Sequence, residues 1–114
     1  MGISQEIIRE IIRRIEKAAK PDRVILFGSA ATGRMTKDSD IDLLILERKP
    51  RNTRKESVKI HLALSGIGCP FDVIVMRTGW FEESKNVIGG IAYPANKYGK
   101  VIYEAGRRSK THPH

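Results

Sequence analysis

The sequence predicts an α/β (α+β) chain, a small mixed β-sheet with helices packed against it. Three observations predict this. Three short apolar runs, Val24–Phe27, Ile41–Leu46 and Phe71–Met76, have the length and composition of buried strands. Apolar residues recur at helical spacing before the first run, and helix-start signals separate the second from the third. The 114 residues are 40% hydrophobic and 30% charged, which suits one small soluble domain rather than two. The expectation is a single domain over 1–105 followed by a disordered basic tail, 106–114.

Each element has its own signals. Ser4 is placed as an N-cap, with Ile3 and Ile8 as a hydrophobic staple around it. Ile7, Ile8, Ile11, Ile12, Ile15, Ala18 and Ala19 then form one apolar face, and Pro21 ends the helix. Val24–Phe27 is the first strand, and Gly28-Ser29 breaks it. A short helix is expected from Ser29 to about Gly33, and a polar loop, Lys37 to Ser39, leads into the second strand. The basic stretch Glu47–Lys55 is broken by Pro50 and reads as a loop. Thr53 and Glu56 have capping-box spacing, so a helix is expected to start there, with Val58 and Leu62 on its buried side and Gly66 and Gly68 at its end. His61 has no Cys or His at metal spacing and reads as structural.

The third strand follows Pro70. Thr78 is expected to cap a short helix bearing Trp80 and Phe81, both assigned to the core. Val87, Ile88, Ile91 and Ala92 repeat at helical spacing, but Gly89, Gly90 and Pro94 interrupt them, so a short, kinked or shifted helix is expected. Val101–Tyr103 reads as a last strand or extended tail.

Composition narrows the function classes. No apolar run approaches the ~20 residues of a membrane span, and no secretory signal is visible. Cys69 is the one cysteine, which excludes an intrachain disulfide and makes a cytoplasmic location the default. The net charge of +8 suits a polyanionic substrate or an acidic partner. Direct nucleic-acid binding is not favoured, because neither basic stretch, Arg48–Lys55 or Arg107–Lys110, interleaves aromatics with its charges.

The chemistry concentrates in VILFGSAATGRMTKDSDIDLLIL, Val24 to Leu46. Asp40 stands at the mouth of the second strand and Asp42 inside it. A buried strand rarely holds an acid without a partner or a metal. Residues two apart on a strand share a face, with Cα atoms about 6.5 Å apart. Two carboxylates converging beyond a glycine-serine turn suit a divalent cation and a polyphosphate. Gly28 admits a ligand close to the backbone, and the Ser29 hydroxyl can donate to a phosphate oxygen. Asp38 is out of phase with Asp42 and is set aside as a ligand, while Arg34 and Lys37 read as solvated. Asp72 is a further acid within an apolar strand. Three such carboxylates would repel one another unless a cation relieved them.

Gly28-Ser29, then Gly33, then Ser39-Asp40-Ile41-Asp42-Leu43 resembles the signature of the DNA polymerase beta-type nucleotidyltransferase superfamily. The close spacing is similar to that of the minimal nucleotidyltransferases, the MNT proteins paired with HEPN toxins. The resemblance implies a nucleotidyltransferase fold and places the third metal-site carboxylate at Asp72. It implies Asp40, Asp42 and Asp72 as catalytic and metal-binding residues for two Mg²⁺ ions, with Gly28 and Ser29 binding the nucleotide. It further implies transfer of NMP, AMP from ATP above all, to an acceptor hydroxyl on a HEPN-type toxin partner, with the chain acting as antitoxin. So small a chain leaves the acceptor, or a second subunit in an oligomer, to complete the site. The rival expectation is a non-catalytic binding module that neutralises its partner sterically.

Overall fold

The computed structural model describes residues 3–36 and 39–105. The expectations for Lys37, Asp38 and the tail 106–114 fall outside them. Among the described residues the order is α1 (Gln5–Ala18), β1 (Arg23–Phe27), α2 (Ser29–Thr32), β2 (Ile41–Glu47), α3 (Thr53–Ala63), β3 (Phe71–Arg77), α4 (Thr78–Ser84), α5 (Ala92–Tyr98) and β4 (Lys100–Glu104). The mixed sheet and its helices are those expected.

The strands lie in the order β3-β2-β1-β4. β1 pairs antiparallel with both β2 and β4, whereas β2 and β3 are parallel and joined through α3. β2 is buried along nearly its whole length, because it has a neighbour on each side and helices on both faces.

Alternation along the strands divides the core in two. Val24, Leu26, Ile41, Leu43, Ile45 and Val75 face α1, α2 and α3, against Ile11, Ile15, Ala30, Ile60 and Leu64. Ile25, Leu44 and Leu46 face α4 and α5, against Phe81, Ala92 and Ala95. Removing a Leu or Ile side chain from water is worth about 1.5–3 kcal/mol, so the first and larger cluster supplies more of the folding energy.

Local signals explain most boundaries. Ser4 caps α1, its Oγ accepting from the Ile7 N–H at 3.2 Å. Gly33 closes α2 in the left-handed conformation, φ 76°. Arg14 ties α1 to the end of α3 by donating to the carbonyls of Ala63 (3.3 Å) and Ser65 (2.5 Å).

Four expectations are corrected. The cap of α3 is Asn52, whose Oδ1 accepts from the Lys55 N–H at 3.0 Å, not Thr53. The buried residues at that helix are Ile60 and Leu64, while Val58 and Leu62 are 53% and 65% exposed. Thr78 does not cap α4; its hydroxyl donates to Asp22 Oδ2 at 2.9 Å, and Arg77 occupies the cap position. Of the two aromatics of α4, Phe81 is fully buried but Trp80 is 60% exposed. The interrupted segment yields a seven-residue helix starting at Ala92, with Pro94 in its first turn, where its missing N–H leaves no helical bond unmade.

Candidate active site

β1 delivers the chain to a turn at the end of the sheet where β2 and β3 begin. Gly28 there has φ 70° and ψ −151°, a conformation that L side chains rarely adopt. Space adds a second demand: a Cβ at Gly28 would overlap the Asp42 carboxylate at Oδ2. The backbone of the turn and the acid of the neighbouring strand are in direct contact. Ser29 then opens α2, and the Gly28 carbonyl accepts from the N–H groups of Ala31 (3.1 Å) and Thr32 (3.3 Å). The amides of the first residues of a helix have no intrahelical acceptor, so those of Ser29 and Ala30 suit an anion.

The register places the acids. Phe27 of β1 is paired with Asp42 of β2, and Asp42 with Asp72 of β3. Paired residues on adjacent strands project to the same face, with strands about 4.8 Å apart. That face is the one bearing Ile25, Leu44 and Leu46. Asp40 lies two residues before Asp42, just outside the strand, and is exposed. Asp72 is exposed and Asp42 half-buried.

Electrostatics link the three. Burial pushes the Asp42 carboxyl up from its ordinary value, and the charges of Asp72 and then Asp40 push it further. A divalent cation bound among these carboxylates would offset that repulsion. Among the described residues, no three His, Cys, Asp or Glu side chains close into a ready-made metal cage. The donor set still fits Mg²⁺, which takes one or two carboxylates and completes its shell with water and substrate phosphates. Asp42 and Asp72 offer two hard oxygen donors in register beside the Gly28 turn.

All five sequence-derived site residues therefore fall at one end of the sheet. Gly28, Asp42 and Asp72 are brought together, Ser29 follows in the turn, and Asp40 stands at the rim. Phe27 was not singled out from the sequence, though it is the residue opposite Asp42. The apolar run containing it reads only as core, and only the pairing register shows where it ends up.

The site thus combines a glycine-serine turn after β1, the short helix α2, an antiparallel β2 and a crossover to a parallel β3, with acids on β2 and β3. Residues 6–93 match the family described as "Nucleotidyltransferase domain", and the chain belongs to that family. It is 36% identical over 91 residues to a protein of Methanocaldococcus jannaschii named "Putative protein adenylyltransferase MJ0141", a match spanning 71% of this chain and 91% of that protein.

Two solved structures share the fold. One is a toxin–antitoxin assembly with AMP-PNP, at TM-score 0.58 and 18% identity, over 90% of this chain and 77% of that one. The other is a tri-AMPylated HEPN toxin of Shewanella oneidensis in complex with MNT antitoxin, at TM-score 0.54 and 18% identity, over 95% of this chain and 78% of that one.

Proposed function

We propose that this chain is a Mg²⁺-dependent protein adenylyltransferase, moving AMP from ATP to a hydroxyl of a HEPN-type toxin and so acting as an antitoxin. The observation that carries the reading is the register of Asp42 with Asp72 on an open sheet end, with Gly28 packed against Asp42. Family membership and the adenylyltransferase name of the relative from M. jannaschii support transfer of a nucleotide. The toxin–antitoxin neighbours support the choice of partner.

The division of labour follows from placement. The Gly28–Ser29 backbone and the Ser29 hydroxyl hold the triphosphate. Asp42 and Asp72, with Asp40 at the rim, would hold Mg²⁺, one ion or the two that the family resemblance implies. Bound Mg²⁺ supplies charge neutralisation at the phosphates and acidity at the acceptor hydroxyl. The acceptor oxygen forms a bond to the α-phosphorus, the bond from that phosphorus to the bridging oxygen breaks, and pyrophosphate leaves. The acceptor proton passes to Asp72 or to water. The Asp72 side chain is exposed, as an acid that must meet a macromolecular acceptor should be.

The test is transfer of label from α-labelled ATP to the purified cognate toxin in Mg²⁺, by the native chain and by Asp42→Asn. Labelling and neutralisation by the native chain, with neither by the variant, support the reading. A native chain that moves no label, or an Asp42→Asn variant that labels and neutralises as well as the native chain, overturns it. Neutralisation by Asp42→Asn without labelling would favour a steric antitoxin instead.

A further inference from the structure

We propose that Tyr98, at the last turn of α5, is the platform on which the nucleobase stacks. This rests on the nucleotide-binding reading of the Gly28–Asp42 end and adds to it a base-contacting residue.

Position comes first. Lys100 of β4 is paired with Leu26 of β1, so β4 starts at the sheet end where the acids lie. α5 leads directly into β4 and therefore ends there too. Gly99 fixes the junction: a Cβ there would overlap the Ala95 carbonyl oxygen and lie 2.7 Å from Ile25 Cγ2 and 3.1 Å from the Leu26 carbonyl oxygen. The end of α5 is thus pressed against β1 two to three residues before Gly28. Ala92 and Ala95 pack into the cluster that contains Ile25 and Leu44, so α5 lies on the same sheet face as Asp42 and Asp72.

Handedness gives the direction of Tyr98. β2–α3–β3 is a parallel crossover with α3 on the opposite face, and such crossovers are right-handed. Viewed from the α5 side with the acids uppermost, the strands then run β4, β1, β2, β3 from left to right. A right-handed helix rising over β1, with Ala92 and Ala95 toward the sheet, turns Tyr98 toward β2. That is the side of Asp42 and Asp72.

Chemistry supplies the rest. Tyr98 is 57% exposed, a large aromatic surface with little cover. The Lys97 ammonium lies 5.5 Å from its ring centre and 5.6 Å from that of Tyr93, and donates to the Tyr93 hydroxyl at 3.3 Å. The ring is braced by a cation at the mouth of a site built for a polyanion. An aromatic face accepts any nucleobase by stacking, and a neighbouring cation favours the phosphates that the base carries with it.

The experiment measures Kd by calorimetry in Mg²⁺, using ATP and inorganic tripolyphosphate, for the native chain, Tyr98→Ala and Tyr98→Phe. Tyr98→Ala is expected to weaken ATP about tenfold, the loss typical of one base–aromatic stack. Tripolyphosphate affinity should be unchanged, and Tyr98→Phe should keep native ATP affinity. Native ATP affinity in Tyr98→Ala, equal losses for both ligands, or equal weakening by Tyr98→Phe would each overturn the proposal. A native chain that binds neither ligand would overturn the nucleotide reading itself, so the two failures are distinguishable.

Discussion

The two faces of this sheet are covered unequally. On one, α1, α2 and α3 lay Ile11, Ile15, Ala30, Ile60 and Leu64 over residues from β1, β2 and β3. On the other, two seven-residue helices contribute Phe81, Ala92 and Ala95, and the cover thins at half-buried Phe27. Asp42 and Asp72 lie at that thin edge. The difference shows how a small chain can hold charge in a central strand. Leu43 is fully buried on the thick face, and its neighbour Asp42 projects from the thin one. The thick face supplies the stability that tolerates a repelling cluster on the other.

The largest expected effect breaks the pairing of stability with function. Asp42→Asn should reduce the proposed AMP transfer roughly a thousandfold, the equivalent of about 4 kcal/mol of transition-state stabilisation. Its melting temperature should stay level or rise, because burial, Asp72 and Asp40 all disfavour the charge that the substitution removes. Ile15→Ala on the thick face should do the reverse. It empties a fully buried position and is expected to cost about 2–5 kcal/mol of stability. The transfer rate of the molecules that remain folded should be unchanged. Denaturant unfolding together with the label-transfer assay separates the two outcomes.

A smaller effect contrasts the two acids of β2. Glu47, at the far end of the strand, is on the thick face and buried, and its Oε2 has no hydrogen-bond partner. Burial, then a hydrogen bond and charge from Glu56, push its carboxyl up to about 7, against a smaller opposing pull from Lys59. The folded state therefore holds this proton where the unfolded chain has released it. Stability from this group is complete below about pH 4.5 and is lost as pH rises through about 7. Glu47→Gln should flatten that part of the profile and make the protein more stable at pH 8 by on the order of 2 kcal/mol. Melting curves from pH 4 to 8 check it. A variant that keeps the native slope would place the titrating group elsewhere. Glu47 lies at the end of β2 away from Asp42, and no change in transfer is expected.

Much of this was legible in the sequence, for physical reasons. Strands β1, β2 and β3 are short, mostly apolar runs, so Asp42 inside β2 stood out; an acid at a strand start can be a mere edge residue, and the family resemblance is what singled out Asp72. What the sequence withheld was register. Only pairing shows that Phe27, Asp42 and Asp72 stand side by side, or that β4 returns beside β1 and brings the end of α5 to the same place. Neighbouring alternatives were also unresolved. Asn52 and Thr53 are both good caps, and the N–H of Lys55 goes to Asn52. Trp80 and Phe81 are adjacent on a helix, so both cannot face the sheet, and Phe81 is the one that does.

The smallest effect concerns the same ambiguity in α3. Val58 and Leu62 are four apart, and so are Ile60 and Leu64, so either pair makes an apolar stripe at helical spacing. The pattern offers two faces, and periodicity does not choose between them. The fold does: α3 meets β3 and α1 through Ile60 and Leu64, leaving Val58 and Leu62 to solvent between Arg54, Lys55 and Lys59. Leu62→Ala should then shift stability by no more than about 0.5 kcal/mol, since alanine favours helix and no core contact is lost. Ile60→Ala, two residues away, should cost about 2–5 kcal/mol. Equal losses at the two positions would mean that α3 is turned the other way, and the thick face would have to be redrawn with it.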